Sequence, residues 1–219
     1  MKLNPSCRVY LIRHGETANA GKVRFNGHHD IRLSPRGEQQ LAQISEAMQQ
    51  VPLEAVYCSN LSRTQTSADI IAKPHGLTPI AYPELRELSF GQWEGLSIDE
   101  VEEKFPGRYM ALFRDIANER PPEGESFHEL QQRTVPRFMD IIRNHPQGKI
   151  AIVAHGGVNR TILCQLLGIP IANMFRLNQE YAAVNVIQFY GEDPVVELMG
   201  ADHNFLQWEA PPEKTEKIQ

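Results

Sequence analysis

Cysteine is scarce in the sequence, and no two cysteines lie close together. The three cysteines, Cys7, Cys58 and Cys164, are odd in number and form no Cys-x-x-Cys pair. This spacing argues against a disulfide framework or a zinc ribbon, and it indicates a reducing compartment. No apolar stretch before Cys7 suits a signal peptide, and no later hydrophobic run is long enough to cross a membrane. We therefore expect a cytoplasmic protein with no membrane partner.

Long runs of one charge are also missing, although the formal net charge is −5 at pH 7. Lys and Arg form no stripe of the kind that a nucleic-acid-binding face usually shows, so we expect no nucleic-acid partner. The chain contains neither a Walker loop nor a Gly-x-Gly-x-x-Gly motif. The sequence therefore lacks the loops that usually bind the phosphates of a nucleotide, and it does not indicate nucleotide-driven phosphoryl transfer. Nothing in the sequence indicates a cofactor.

Short all-apolar runs alternate with helical patterns along the 219 residues. Such runs are typical of strands that are buried on both faces of a parallel sheet. We therefore predict a single α/β domain over residues 1–219, with a mostly parallel sheet and helices on both faces. The predicted strands are residues 9–12, 55–58, 150–154, 184–190 and 195–199.

One predicted helix contains a proline. Ser126 and Glu129 have the spacing of a capping box, and the apolar pattern that follows predicts a helix. Pro136 lies within this pattern and lacks the N–H that a helix interior uses. We therefore predict a kink or a break near Val135.

The segment 84–125 differs from the rest of the chain. It is rich in glycine, proline and charged residues, with short helical pieces at 98–105 and 109–117. We interpret it as an insertion that forms a lid over the sheet and not as a separate domain. The polar residues 211–219 are expected to form a flexible tail.

Polar residues follow three of the predicted strands. His14 comes directly after the first strand, His155 after the third, and Arg63 at the start of the helix that follows the second. In open α/β sheets, ligands bind beyond the carboxyl ends of the strands, where these side chains should meet Arg13. Guanidinium groups match phosphate oxygens, and the N–H groups of a helix start add to them. The pattern therefore predicts a site for a phosphoryl group.

Four motifs in this order resemble the histidine phosphatase superfamily, which includes the cofactor-dependent phosphoglycerate mutases. The first is Arg-His-Gly-Glu-Thr at 13–17, and the second is Ser-x-Leu-x-Arg at 59–63 followed by Ser-Ala at 67–68. The third is the acid motif at 85–95, and the fourth is His-Gly-Gly at 155–157. The resemblance covers residues 8–168, and it implies a phosphoglycerate mutase-like fold.

The resemblance also implies a metal-independent mechanism for a small phosphomonoester substrate. His14 would attack phosphorus, and Glu87 would exchange protons with the leaving group and with water. From spacing alone Glu84 and Glu94 are equally good acids, and only the motif selects Glu87, with Glu16 as a second candidate. The implied catalytic residues are His14, Glu87, His155, Arg13 and Arg63; the implied substrate-binding residues are Arg13, Asn26, Gly27, Arg63 and Gly156.

The sequence leaves several functions open. Residues 88–95 resemble the phosphatase branch more than the mutase branch, and we predict a phosphatase, either an α-ribazole-5'-phosphate phosphatase or one of broad specificity. The alternatives are phosphoglycerate mutase-type transfer and a non-catalytic phosphate-binding module, because Ala20 occupies the place of a family asparagine. The oligomeric state is either a monomer or a homodimer.

Two alternatives lie outside the family. A metal site would have to combine His14 with His28, His29 and Asp30, although adjacent histidines in a loop are usually solvated. A cysteine phosphatase needs Cys-x5-Arg, and the chain from Cys58 to the next arginine is one residue short of that spacing. We expect neither of them.

Overall fold

A single mixed sheet forms the centre of the protein. The computed structural model describes residues 5–21 and 24–208, so the predicted tail at 211–219 lies outside the described residues. Within that part of the chain the sheet has six strands, which are β1 (Arg8–Arg13), β2 (Ala55–Cys58), β3 (Ile80–Ala81), β4 (Lys149–Ala154), β5 (Val184–Tyr190) and β6 (Asp193–Ala201). Their order across the sheet is β3-β2-β4-β1-β5-β6.

The strand directions confirm the predicted α/β class with a mostly parallel sheet. The central strand β4 is parallel to both β1 and β2, and β3 is parallel to β2. At the other edge, β5 is antiparallel to β1, and β6 is antiparallel to β5. The sequence analysis missed β3, a two-residue exposed edge strand that carries little apolar signal. Strand β6 extends two residues beyond the prediction at each end.

Helices cover both faces of the sheet, as predicted. Alternate residues of β1 point to opposite faces, so that Leu11 contributes to one core cluster and Tyr10 to the other. The six helices of the described chain are α1 (Pro35–Met48), α2 (Ser62–Ala72), α3 (Ile98–Lys104), α4 (Arg108–Arg114), α5 (Phe127–Arg143) and α6 (Gly156–Leu167). Helices α1 and α2 pack on the face of Tyr10, and α5 and α6 pack on the face of Leu11.

Helix α5 begins at the predicted capping box and continues unbroken through Pro136. The Ser126 hydroxyl accepts from the Glu129 N–H, and the Glu129 carboxylate accepts from the Ser126 N–H. The predicted break near Val135 is therefore wrong. Pro136 and Gln132, whose carbonyl loses its helical donor, are both exposed, so water can satisfy that carbonyl. The buried face of the helix meanwhile remains packed on the core.

Residues 84–125 form the predicted insertion over the sheet. Helices α3 and α4 lie here, and α4 ends at Arg114, three residues before its predicted end. The insertion packs onto the core through Trp93, Val101 and Leu112. Phe25 contacts Trp93 with ring centroids 5.2 Å apart, which joins the insertion to the segment that follows β1. No helix of the described residues is long and apolar enough to cross a membrane.

Candidate active site

The carboxyl ends of β1, β4 and β2 bring the predicted site residues together. His14 directly follows β1, His155 is the N-cap residue of α6 after β4, and Arg63 lies in the first turn of α2 after β2. Because β4 lies between β1 and β2 in the sheet, the three chain segments converge at one edge. The rings of His14 and His155 are 5.2 Å apart, centre to centre, and meet edge to face.

His14 is held in one tautomer. Its Nδ1 lies 2.7 Å from the carbonyl oxygen of Gly15, which can only accept a hydrogen bond, so Nδ1 carries the proton. Nε2 of the neutral ring therefore keeps its lone pair. Burial, followed by the charges of Arg13 and Arg63, holds the pKa of His14 well below its ordinary value. A buried imidazole with a bare Nε2 is suited to nucleophilic attack.

His155 is completely buried and is oriented through both ring nitrogens. The Nε–H of Arg63 donates to its Nδ1 at 3.3 Å, and Nε2 contacts the hydroxyl of Ser59 at 2.8 Å. Burial, followed by the charge of Arg63, also lowers the pKa of His155 well below its ordinary value. At neutral pH the two imidazoles are therefore neutral.

The guanidinium of Arg63 supports the loop after β1. The side chain is 1% exposed and donates to the carbonyls of Asn26, Gly27 and His29. These bonds hold the 26–29 backbone against the site. Burial lowers the pKa of Arg63, although a guanidinium stays charged at any physiological pH.

Arg13 faces the same space from the end of β1. Its guanidinium donates to the carbonyl of Gln179 at 2.5 Å, while its Nε is buried without a partner among the described residues. The ring of Tyr181 covers the guanidinium with 4.2 Å between Cζ and the ring centroid, and it lies 5.7 Å from the His14 ring. Tyr181 could not be predicted as a site residue, because the sequence around it has no distinctive motif.

The three arginines around this site bind backbone carbonyls. Within residues 5–21 and 24–208, neither Arg13 nor Arg63 nor the neighbouring Arg160 forms an ion pair with a carboxylate. Arg160 binds instead to the carbonyls of Leu177 and Gly156. The charge of Glu87 acts on Arg13 and Arg63 without a direct ion pair in the described part of the chain, so an incoming dianion would supply that direct contact.

Glu87 reaches the site from the insertion. Its two carboxylate oxygens accept hydrogen bonds from the N–H groups of Leu88 and Gly157, both at 2.9 Å. A Cβ at position 157 would lie 2.3 Å from the carboxylate, so only glycine leaves the necessary room. Spacing alone did not distinguish Glu84, Glu87 and Glu94, and the structure places Glu87 beside the second histidine motif.

The loop that carries Glu87 is anchored by Arg133 of α5, a second residue that sequence reasoning missed. Its guanidinium donates to the carbonyls of Glu84, Arg86 and Glu87 and also binds both oxygens of Glu125. Glu125 in turn accepts from the N–H of Ser89. A lone arginine in an amphipathic helix gives no signal of such a role.

The remaining predicted residues have different surroundings. Asn26 and Gly27 present their carbonyls to Arg63, and the Oδ1 of Asn26 is buried without a partner among the described residues. Gly156 begins α6. Glu16 instead lies at the start of α1, where it accepts from the Ser34 hydroxyl.

The two chemistries from outside the family find no support. His28 binds the carbonyl of Glu87, Asp30 caps α2 by accepting from Ser62, and no described group of three or more His, Cys, Asp or Glu could hold a metal. Cys58 is buried in β2, and burial raises the pKa of its thiol to about 12, which disfavours the nucleophilic thiolate.

Comparison with known proteins identifies the family. The sequence profile of the histidine phosphatase superfamily (branch 1) matches residues 9–202. The chain belongs to this superfamily, and it is a phosphatase enzyme of the phosphoglycerate mutase-like type.

The names of similar proteins describe different activities. The chain is 32% identical over 199 residues to "Probable phosphoglycerate mutase GpmB" of Enterobacter sp. (strain 638), covering 88% of this chain and 92% of the relative. The α-ribazole phosphatase of Shigella flexneri superposes with a TM-score of 0.82 at 27% identity, covering 89% and 96% of the two chains. Bacillus stearothermophilus YhfR superposes with a TM-score of 0.84 at 28% identity, covering 90% and 98%.

Proposed function

We propose that the protein hydrolyses small phosphomonoesters through a phosphohistidine at Nε2 of His14. One observation carries the proposal: Nδ1 of His14 is bound to the Gly15 carbonyl, which leaves the lone pair on Nε2, and the charges of Arg13 and Arg63 act on this ring while neither guanidinium forms an ion pair among the described residues. A phosphoryl group supplies that missing negative charge and presents phosphorus to the nucleophile.

The first step transfers the phosphoryl group to the enzyme. The Nε2 lone pair of His14 forms a bond to phosphorus while the bond to the ester oxygen breaks. A protonated Glu87 gives its proton to that oxygen, which leaves as an alcohol. Arg13, Arg63 and His155 hold the equatorial oxygens, with Asn26, Gly27 and Gly156 as further substrate contacts, and the two guanidiniums stabilise the charge of the transition state.

The second step returns the enzyme to its starting state. Glu87, now a carboxylate, accepts a proton from water as the water oxygen attacks phosphorus. The bond from phosphorus to Nε2 of His14 breaks, and inorganic phosphate leaves. The positive charge that both steps need comes from side chains of this chain, so the proposed reaction uses no metal.

The test replaces the nucleophile. We expect His14→Ala to abolish hydrolysis of a phosphomonoester panel and to prevent formation of the acid-labile phosphoenzyme that the wild type forms. His128→Ala is the matched control, because the His128 side chain is exposed and its ring bonds to Asn118, away from the site. Retained hydrolysis in His14→Ala would refute the mechanism, and binding without turnover by the wild type would favour a non-catalytic module.

Several phosphomonoesters are candidate substrates. Similarity to the Shigella flexneri enzyme supports α-ribazole-5'-phosphate, and broad specificity is the other phosphatase prediction. Similarity to GpmB favours a second candidate, phosphoglycerate mutase-type transfer. Values of kcat/KM for α-ribazole-5'-phosphate and simple monoesters, together with a test for isomerisation of phosphoglycerate, separate these functions.

A further inference from the structure

A short chain of hydroxyl groups ends on His155. The hydroxyl of Thr64 donates to the carbonyls of Ser59 and Leu61 at 3.0 and 2.8 Å, and its oxygen contacts the Ser59 hydroxyl oxygen at 2.6 Å. Two carbonyls thus compete for the single hydrogen of Thr64. This favours the Ser59 hydroxyl as the donor in its contact with Thr64.

This arrangement determines what Ser59 can offer to the imidazole. Because its hydrogen points to Thr64, the oxygen of Ser59 can only accept at its 2.8 Å contact with Nε2 of His155. The opposite side of the ring gives the same answer independently. The Nε–H of Arg63 donates to Nδ1, which must be a bare nitrogen. Both contacts require the tautomer with hydrogen on Nε2.

We propose that Ser59 is a positioning residue that holds His155 in the Nε2–H tautomer, so that Nδ1 takes up one proton when the phosphoryl group binds. The proposal rests on the proposed function, since it concerns the same phosphate site. The proton comes from solvent or from the substrate monoanion and forms a bond to the Nδ1 lone pair. The Nε2–H bond to Ser59 is kept throughout. The Nε–H of Arg63 gives up its bond to Nδ1, and the phosphate oxygens accept from Nδ1–H and from Arg63 instead.

The groups that face the ring explain why the proton arrives with the anion. Arg63 of α2 and the neutral His14 contact the ring, and the charges of Arg13 at the end of β1 and of Arg133 in α5 act on it from further away. The carboxylate of Glu87 binds the Gly157 N–H, two residues beyond the ring. The charges of three guanidiniums oppose a positive ring. A bound phosphate dianion would reverse the local charge and could accept from Nδ1–H and from Arg63.

Nitrogen NMR of the imidazole rings tests the tautomer directly. With ¹⁵N-labelled histidine, and with His155→Asn for assignment, we expect Nε2–H in the free protein and both nitrogens protonated after addition of inorganic phosphate. In Thr64→Val the Ser59 hydroxyl loses its acceptor and turns to donate to Nε2. We expect this variant to shift His155 toward the Nδ1–H tautomer.

Ser45→Ala is the matched control for loss of a buried hydroxyl, since Ser45 donates to the carbonyl of Ile70 between α1 and α2. It should leave the His155 signals unchanged. Nδ1–H in the free wild type, or an unchanged tautomer in Thr64→Val, would overturn the proposal. Because the free-protein spectra need no substrate, they decide the tautomer separately from the hydrolysis assay that decides the function.

Phosphate inhibition gives the functional readout. Ser59→Ala should raise the inhibition constant of inorganic phosphate about tenfold, since it removes one hydrogen bond to a charged ring. Ser59→Thr, which keeps the hydroxyl, should restore most of the affinity. An equal loss in both variants, with Ser45→Ala unaffected, would show that Ser59 acts through packing and would overturn the positioning role.

Discussion

The guanidinium of Arg13 lies 4.2 Å from the centre of the Tyr181 ring, which also borders His14. This contact shields the guanidinium on one side and limits its rotation. A cation over an aromatic face contributes about 0.5–1 kcal/mol at exposed sites and more when it is desolvated. Tyr181 therefore contributes to the orientation of Arg13, together with the Gln179 carbonyl.

Substitution of Tyr181 should weaken phosphate binding through Arg13. We expect Tyr181→Ala to lower kcat/KM about tenfold, whereas Tyr181→Phe should retain most of it because the ring is kept. Steady-state kinetics on one phosphomonoester measure both variants. If Tyr181→Phe loses as much as Tyr181→Ala, the phenol hydroxyl and not the ring face would be the important group.

Gly157→Ala should displace the carboxylate of Glu87. The added Cβ would lie 2.3 Å from Oε1, and the backbone start of α6 cannot easily yield. We expect kcat to fall at least about tenfold, within the range that a general acid contributes. In a double-mutant cycle with Glu87→Gln the two effects should be strongly non-additive. If the effects of Gly157→Ala and Glu87→Gln were additive, the added methyl group would act on a group other than the Glu87 carboxylate.

Arg133 should position Glu87 without touching the substrate. Arg133→Lys keeps the charge but loses the planar fork that binds three carbonyls and Glu125, so we expect kcat to fall about tenfold with little change in KM. Arg143→Lys is the control, since Arg143 is exposed and pairs with Asp140 within one turn. A rise in KM alone would contradict the positioning role.

Much of the fold was predictable from the sequence, because apolar runs and capping residues act locally. The strands around β4 and the start of α5 at Ser126 were predicted in this way. The continuity of α5 through Pro136 was not predicted, because it depends on the packing of the buried helix face, which outweighs the loss of one exposed hydrogen bond. The edge strand β3 depends on its pairing with β2 and has no pattern of its own.

The site was predictable where a residue directly follows a strand. His14 and His155 both have this position, and sheet topology brings them together. Tyr181 and Arg133 were not predictable, because each reaches the site from a segment far away in sequence and has no distinctive local pattern. Their roles arise only from tertiary contacts.

Acid should destabilise the folded protein through its two buried imidazoles. In the folded state the pKa values of His14 and His155 lie well below about 6.5, the usual value in an unfolded chain. Below that pH the unfolded chain binds more protons than the folded one, so the free energy of unfolding falls as the pH falls. At higher pH both states hold neutral rings and this contribution is constant.

Thermal unfolding at about pH 7.5 and about pH 5.5 measures the effect, and the variant His155→Asn isolates the part due to His155. We expect the wild type to lose more stability on acidification than this variant does. The exposed His128 offers the matched control, because His128→Asn should leave the acid dependence unchanged. Inorganic phosphate should reduce the loss, because the bound anion stabilises a proton on His155 in the folded state. An identical acid dependence in the wild type and His155→Asn would mean that His155 does not contribute to it.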